Sequence, residues 1–157
     1  MLGAIIGDIV GSIYEFDNLK SKNFELFKPE CEFTDDSVLT IAVAEALLNF
    51  NPDDEENFKE NLIDIFHKYG EMYPDVGYGG NYLSWVENKR RDPYNSYGNG
   101  SAMRTSAVGW YAKSIEECER LAKLCAEITH NHPDGIAGAQ ATAGVIFLAR
   151  NGASKDE

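Results

Sequence analysis

At 157 residues, with 43% hydrophobic side chains, the chain is long enough to bury a sizeable core as one domain and too apolar to be disordered. Its 26 acids against 14 bases leave a net charge of -12. That argues against nucleic acid or an anionic membrane as a partner, because no basic stripe exists to neutralise phosphates, yet it leaves room for one small anionic ligand in a local pocket.

The amino terminus has no basic leader and meets Asp8 too soon for a signal peptide, and no uninterrupted apolar run is long enough to span a bilayer. A cytoplasmic location is the expectation. Residues 2–16 carry Leu2, Ile5, Ile6, Ile9, Val10 and Ile13 at helical spacing. Asp8, Ser12 and Glu15 then fall in one narrow stripe opposite the apolar face. Such a stripe is either a solvated face or the wall of a cleft. Ala4, Gly7 and Gly11 beside it, with Gly3 close by, suit the cleft, since glycine costs about 1 kcal/mol inside a helix.

Residues 17–32 read as a loop. Phe33-Thr34-Asp35-Asp36-Ser37 follows, immediately before the apolar segment Val38 to Leu48, which reads as a buried helix. The hydroxyl and the two carboxylates lie at that helix's first turn. They can cap it, accepting its free amides and complementing its dipole. They can equally hold a hard divalent cation, which takes oxygen ligands.

Asn49 to Pro52 stops this helix. Asp53 with Glu56 resembles a capping box for the next, whose apolar face is Phe58, Leu62, Ile65, Phe66 and Tyr69, with Gly70 as its stop and His67 on the solvated side. Residues 71–80 are expected to be a loop, and Asn81 to Arg90 a short helix with Trp85 and Val86 inward. Asp92 to Ser101 is rich in turn formers and leads into a small-residue helix, Ala102 to Tyr111. A glycine-rich loop entering a helix is a natural anion site. Arg104 sits in the first turn, the wrong end for the dipole, so it calls for a specific partner, either a buried carboxylate or a ligand phosphate.

Ser114 with Glu117 caps a helix running to Thr129. His130 to Gly135 is a tight break, where His132 is ordinary turn chemistry. Ile136 to Arg150, rich in Ala and Gly, packs closely on a neighbour. Ser154 with Glu157 reads as the start of one more helix. Cys31, Cys118 and Cys125 have no C-x-x-C spacing, so they are expected as small buried apolar residues rather than zinc ligands. No segment alternates with period two over a useful length, so the class is all-α.

Four stretches taken together, Gly3 to Glu15, Phe33 to Asp36, Tyr97-Gly98-Asn99-Gly100-Ser101-Ala102-Met103-Arg104 and Thr129-His130, resemble the ADP-ribosylglycohydrolase family, in order and across nearly the whole chain. The resemblance implies a compact orthogonal all-α domain with two Mg²⁺ ions. It implies hydrolysis of the bond between the C1″ of ADP-ribose and an acceptor on a protein or a small molecule. It makes Thr34, Asp35 and Asp36 metal ligands, with Asp35 and Glu15 at the catalytic centre and Glu15 positioning or deprotonating the attacking water. Asp8, Gly98, Asn99, Gly100, Ser101, Met103, Arg104 and His130 become the substrate-binding set.

The family completes its metal site with a later G-D-x-D-T-type motif, and this sequence has none; its late aspartates are Asp134 and Asp156. The expectation is therefore an amino-terminal portion of the family domain with half of a metal site, exposed apolar surface and a tendency to self-associate. A non-catalytic ADP-ribose-binding protein and an all-α metal-dependent phosphohydrolase are the alternatives.

Overall fold

Each segment of helical spacing folds as helix in the computed structural model, which describes residues 1–155; among those residues there is no strand. The expected helix start at Ser154 depends on Glu157, outside the described residues. Helix α1 (Leu2–Gly11) tightens into a 3₁₀ turn, Ser12–Tyr14, where the Ser12 hydroxyl donates to the Ile9 carbonyl at 2.9 Å. Helix α2 (Asp35–Leu48) is apolar on nearly all sides, the pattern of a helix surrounded by others. Val38, Leu39, Ala42, Val43, Ala46 and Leu47 are all buried, and α2 packs on α1 and on the helices that follow. Thr34 is its N-cap, its side chain accepting the Asp36 amide at 3.3 Å.

Helix α3 (Glu55–Met72) corrects three expectations. Its cap is Asp54, not Asp53, with Oδ1 accepting the Asn57 amide at 3.1 Å. It does not stop at Gly70. An added Cβ there would lie 2.9 Å from Val86 Cγ2, so glycine is present to admit helix α4 (Gly80–Glu87) rather than to end α3. His67 is not solvated but only 8% exposed. Its ring stacks on Trp85 at 4.1 Å between centroids, and its Nε2 donates to the Arg90 carbonyl at 2.8 Å. In both cases α4 covers what the periodicity of α3 alone leaves open.

The expected helix Ala102 to Tyr111 is broken into α5 (Gly100–Met103) and α6 (Ser106–Tyr111). Thr105 lies at the break and donates its hydroxyl back to the Ala102 carbonyl at 2.9 Å, a bond that competes with the helical ladder. Helix α7 (Ile115–Glu127) has the Ser114 cap, accepting the Glu117 amide at 3.1 Å, and ends two residues before Thr129. Helix α8 (Pro133–Arg150) begins earlier than Ile136, because Pro133 fits the first helical position and His132 Nδ1 accepts the Asp134 amide at 3.1 Å. The small residues of α8 do allow close packing: a Cβ on Gly109 of α6 would meet the Ala143 carbonyl at 2.7 Å.

Cys118 and Cys125 are buried as expected, whereas Cys31, on the loop between α1 and α2, is half-buried. Among the described residues no helix is long and apolar enough to cross a membrane. Large apolar side chains reach solvent on the outer face of α1 (Leu2, Ile6), on the loop after it (Phe16, Leu26, Phe27) and on α8 (Val145).

Candidate functional site

The start of α2 is tied to α1 by one carboxylate. Asp8 Oδ2 accepts the amides of Thr34 at 2.9 Å and Ser37 at 3.1 Å, and Oδ1 accepts the Thr34 hydroxyl at 2.5 Å. Ser12 Oγ accepts the Glu32 amide at 3.1 Å. Two members of the Asp8-Ser12-Glu15 stripe thus face protein, but the glycines beside them do not explain it: Gly3, Gly7 and Gly11 are exposed, and an added Cβ at any of them would meet nothing within 4 Å. Glu15 is exposed at the far end and still acts electrostatically on Asp35 and Asp36.

Burial pushes the Asp35 carboxyl up to about 7, with added repulsion from Asp36, Glu15 and Asp8. Asp36 is also raised, first by burial and then by Asp8 and Glu15. Neighbouring carboxylates are therefore held close enough to oppose the ionisation of Asp35 and Asp36, a stress that a divalent cation would relieve. Among the described residues, no three His, Cys, Asp or Glu side chains converge closely enough to hold a metal ion on their own.

Asp35 opens onto a cleft of about 370 Å³. Gly98, Asn99, Gly100, Met103, Arg104 and His130 line the same cleft, so seven of the residues singled out in the sequence meet there. Asp8, Glu15, Thr34, Asp36 and Ser101 do not line it. Ser101 is buried and donates to the Gly135 carbonyl at 2.7 Å, which pins α5 to α8. Gly79, Gly80, Asn81, Tyr82 and Tyr94 line the cleft but were missed in the sequence. The signal was present: Gly79-Gly80-Asn81 enters a helix in the same manner as Gly98-Asn99-Gly100, and leaves that helix's first amides without intrahelical partners.

Arg104 is 1% exposed. Its Nη2 donates to the Cys125 carbonyl at 2.7 Å and to Thr129 Oγ1 at 2.9 Å, and its guanidinium lies 4.7 Å from the centre of the Phe66 ring. The fold thus gives it a carbonyl, a hydroxyl and a ring instead of the buried carboxylate considered from the sequence. Its Nε has no hydrogen-bond partner among the described residues. Burial lowers its pKa, but a guanidinium remains charged at neutral pH.

His130 packs under the glycine turn. Its Nδ1 is 2.8 Å from Thr129 Oγ1. Burial, followed by the Arg104 charge, pushes the imidazole down to about 3, so it is neutral at physiological pH. A Cβ on Gly100 would lie 3.0 Å from His130 Nε2. Glycine at that position keeps the ring edge against the cleft.

The sequence profile of the ADP-ribosylglycohydrolase family matches residues 1–157. The chain is 30% identical over 190 residues to ADP-ribosylhydrolase ARH3 of Mus musculus and 28% identical over 190 residues to that of Homo sapiens, in each case with 100% of this chain and 50% of the relative covered. It is 27% identical over 177 residues to ADP-ribosylhydrolase ARH1 of Dictyostelium discoideum, covering 91% of this chain and 45% of that protein. The chain spans about half the length of the curated relatives it matches.

Proposed function

The chain belongs to the ADP-ribosylglycohydrolase family, and from that premise we propose that its cleft binds ADP-ribose and serves hydrolysis of the glycosidic bond between ADP-ribose and an acceptor on a protein or small molecule. The observation that carries this reading is the charge arrangement of one cleft: Asp35, from the carboxylate cluster, and Arg104, a buried cation without a carboxylate partner among the described residues, line it together with two glycine turns. A ligand that is anionic in its middle and rich in hydroxyls suits such walls. The pyrophosphate would take amides of the Gly98-Asn99-Gly100 and Gly79-Gly80 turns, with Arg104 as the fixed positive charge.

Thr34, Asp35 and Asp36 offer hard oxygen donors, which fit Mg²⁺, and the raised carboxyls of Asp35 and Asp36 fit a site completed by cations. We assign these residues to one side of a binuclear Mg²⁺ centre, which when occupied supplies an activated water and charge stabilisation. Asp8 holds Thr34 in place through its hydroxyl and amide. Glu15 is assigned to orient or deprotonate the water, and carboxylates nearby favour an oxocarbenium-like transition state. Met103 and His130 contact the ligand from the cleft wall, and Ser101 supports the turn from behind.

Calorimetric titration of ADP-ribose with and without Mg²⁺, paired with an assay for ADP-ribose released from ADP-ribosylated arginine and serine peptides, tests the reading. Binding that strengthens with Mg²⁺ supports it, and absence of ADP-ribose binding at millimolar concentration sinks it. Binding without release supports a second reading, a non-catalytic ADP-ribose-binding protein. The exposed apolar side chains of α1 and α8 also lead us to infer self-association, which sedimentation velocity would detect.

A further inference from the structure

His130 has two ring nitrogens, and its surroundings treat them differently. Nδ1 lies 2.8 Å from Thr129 Oγ1. The same oxygen accepts a hydrogen bond from Arg104 Nη2 at 2.9 Å. A guanidinium can only donate, so one lone pair of the threonine oxygen is committed. If Nδ1 also carried a proton, the oxygen would accept twice and its own hydrogen would need another acceptor. The Tyr94 hydroxyl is another polar neighbour of the Thr129 side chain, but His130 Nδ1, at 2.8 Å, is the neighbour that meets the threonine oxygen with hydrogen-bond geometry. Donation from Thr129 Oγ1 into an unprotonated Nδ1 gives the threonine hydrogen and the imidazole nitrogen a partner each, and buried polar groups are rarely left unpaired.

The two nitrogens also differ in what they face. Nε2 is directed at the glycine turn, 3.0 Å from where a Cβ on Gly100 would stand and 4.0 Å from that of Gly98. No protein acceptor reaches it within hydrogen-bond distance among the described residues, and His130 lines the cleft. The burial of the ring and the Arg104 charge keep it neutral, so one proton must be shared between two nitrogens.

We propose that Arg104 and Thr129 are positioning residues that fix His130 in its Nε2–H form, so that the ring presents a hydrogen-bond donor, and not an acceptor, to a ligand oxygen at the Gly98–Gly100 turn. Arg104 orients Thr129, and the Thr129 hydroxyl donates a hydrogen bond to Nδ1. The guanidinium then has a second task beyond its charge, because it dictates polarity two hydrogen bonds away. A ligand atom at Nε2 must accept; a phosphate oxygen or a ribose hydroxyl oxygen qualifies, and an ammonium or amide nitrogen does not. The ligand identity rests on the reading of the cleft as an ADP-ribose site. The tautomer does not.

Nitrogen-15 NMR of the chain labelled at histidine reads the tautomer directly, with a His130→Gln variant assigning the signals. His67 is an internal standard, because its Nε2 faces a carbonyl and must carry the proton. The expected result is a protonated Nε2 at His130 in the native chain and in Thr129→Ser, and a mixture of tautomers in Thr129→Val. A protonated Nδ1 in the native chain overturns the proposal even if Thr129→Val fails to fold, and so does a folded Thr129→Val with an unchanged tautomer. ADP and ADP-ribose are then added separately. A shift of the His130 Nε2 signal with both places the acceptor oxygen on the pyrophosphate, and a shift with ADP-ribose alone places it on the distal ribose. If the tautomer is as stated but neither compound moves the signal, the ligand-facing role of His130 is overturned. If calorimetry also detects no ADP-ribose binding, the reading of the cleft has failed and the tautomer still stands.

Discussion

Asp8 and Thr34, on separate segments of chain, share two hydrogen bonds: the Thr34 amide and the Thr34 hydroxyl both donate to the Asp8 carboxylate. The same carboxylate accepts the Ser37 amide, so one side chain of α1 fixes the cap and the first turn of α2. Hydrogen bonds to a charged acceptor are each worth about 1.5–3 kcal/mol. Because α1 buries little else, Asp8→Ala should destabilise the chain by about 2–4 kcal/mol, with Asp8→Asn losing less. Urea denaturation measures this. A loss below about 0.5 kcal/mol would show that α1 is held by its apolar face instead.

Asp35 gives a pH dependence of definite sign. Its folded carboxyl titrates at about 7 against 3.8 in the unfolded chain, so the folded state holds the proton more tightly. The stability this provides is complete below about 3.8 and is lost as pH rises through about 7. In the presence of a chelator, the native chain should melt lower at pH 8 than at pH 6, and Asp35→Asn should flatten that slope. Asparagine also keeps most of the shape. Mg²⁺ should restore the melting temperature at pH 8 in the native chain, and should do so much less in Asp35→Asn or Asp36→Asn. Equal Mg²⁺ effects in all three proteins would return these aspartates to the role of helix cap.

His130 acts in the opposite direction. Its folded pKa is about 3 against an ordinary 6.5, so the unfolded chain takes the proton first. Stability is complete above 6.5 and declines as pH falls from there towards 3. Subtracting the stability of His130→Gln from that of the native chain cancels the contribution of Asp35. The difference should shrink between pH 7 and pH 5. A difference independent of pH would show that the imidazole ionises freely.

Two glycines of α8 should respond in opposite ways. A Cβ on Gly135 would stand 2.7 Å from the Ser96 carbonyl and 3.1 Å from His130 Cβ, so alanine must displace backbone. Gly135→Ala should cost about 1–3 kcal/mol. Gly138 meets nothing closer than Ala102 Cβ at 3.8 Å, and Gly138→Ala should gain about 0.4–1 kcal/mol from helix propensity and unfolded-state entropy. Chemical denaturation of both variants checks the pair. Similar effects would mean that the loop bearing Ser96 moves without penalty.

The helices were legible in the sequence because most of them carry one apolar face and a capping residue at their start. Thr34, Asp35 and the Gly98–Gly100 turn were singled out for a different reason: a hydroxyl and a carboxylate at a helix start, and a glycine-rich loop entering a helix. What the sequence concealed depended on contacts between elements. His67 occupies the outer side of α3 considered alone, and only the arrival of Trp85 buries it. Gly70 resembles a helix stop until Val86 is placed against it. The break between α5 and α6 could not be read from helical spacing, since Arg104 needs acceptors on α7 and beyond it that lie 21 and 25 residues away.

The burial of Arg104 also governs how quickly an anionic ligand can arrive. A cation at the surface would draw ligands in from a distance, but this one is 1% exposed within a chain of net charge -12. Outside the cleft the potential is negative, and it fades over a screening length of about 10 Å at 0.1 M salt. A nucleotide approaching the proposed ADP-ribose cleft would therefore be repelled first and attracted only after entry. Its association rate should rise with ionic strength, the reverse of the steering seen in enzymes with basic clefts, while its dissociation rate, set by the enclosed guanidinium, should respond far less to salt.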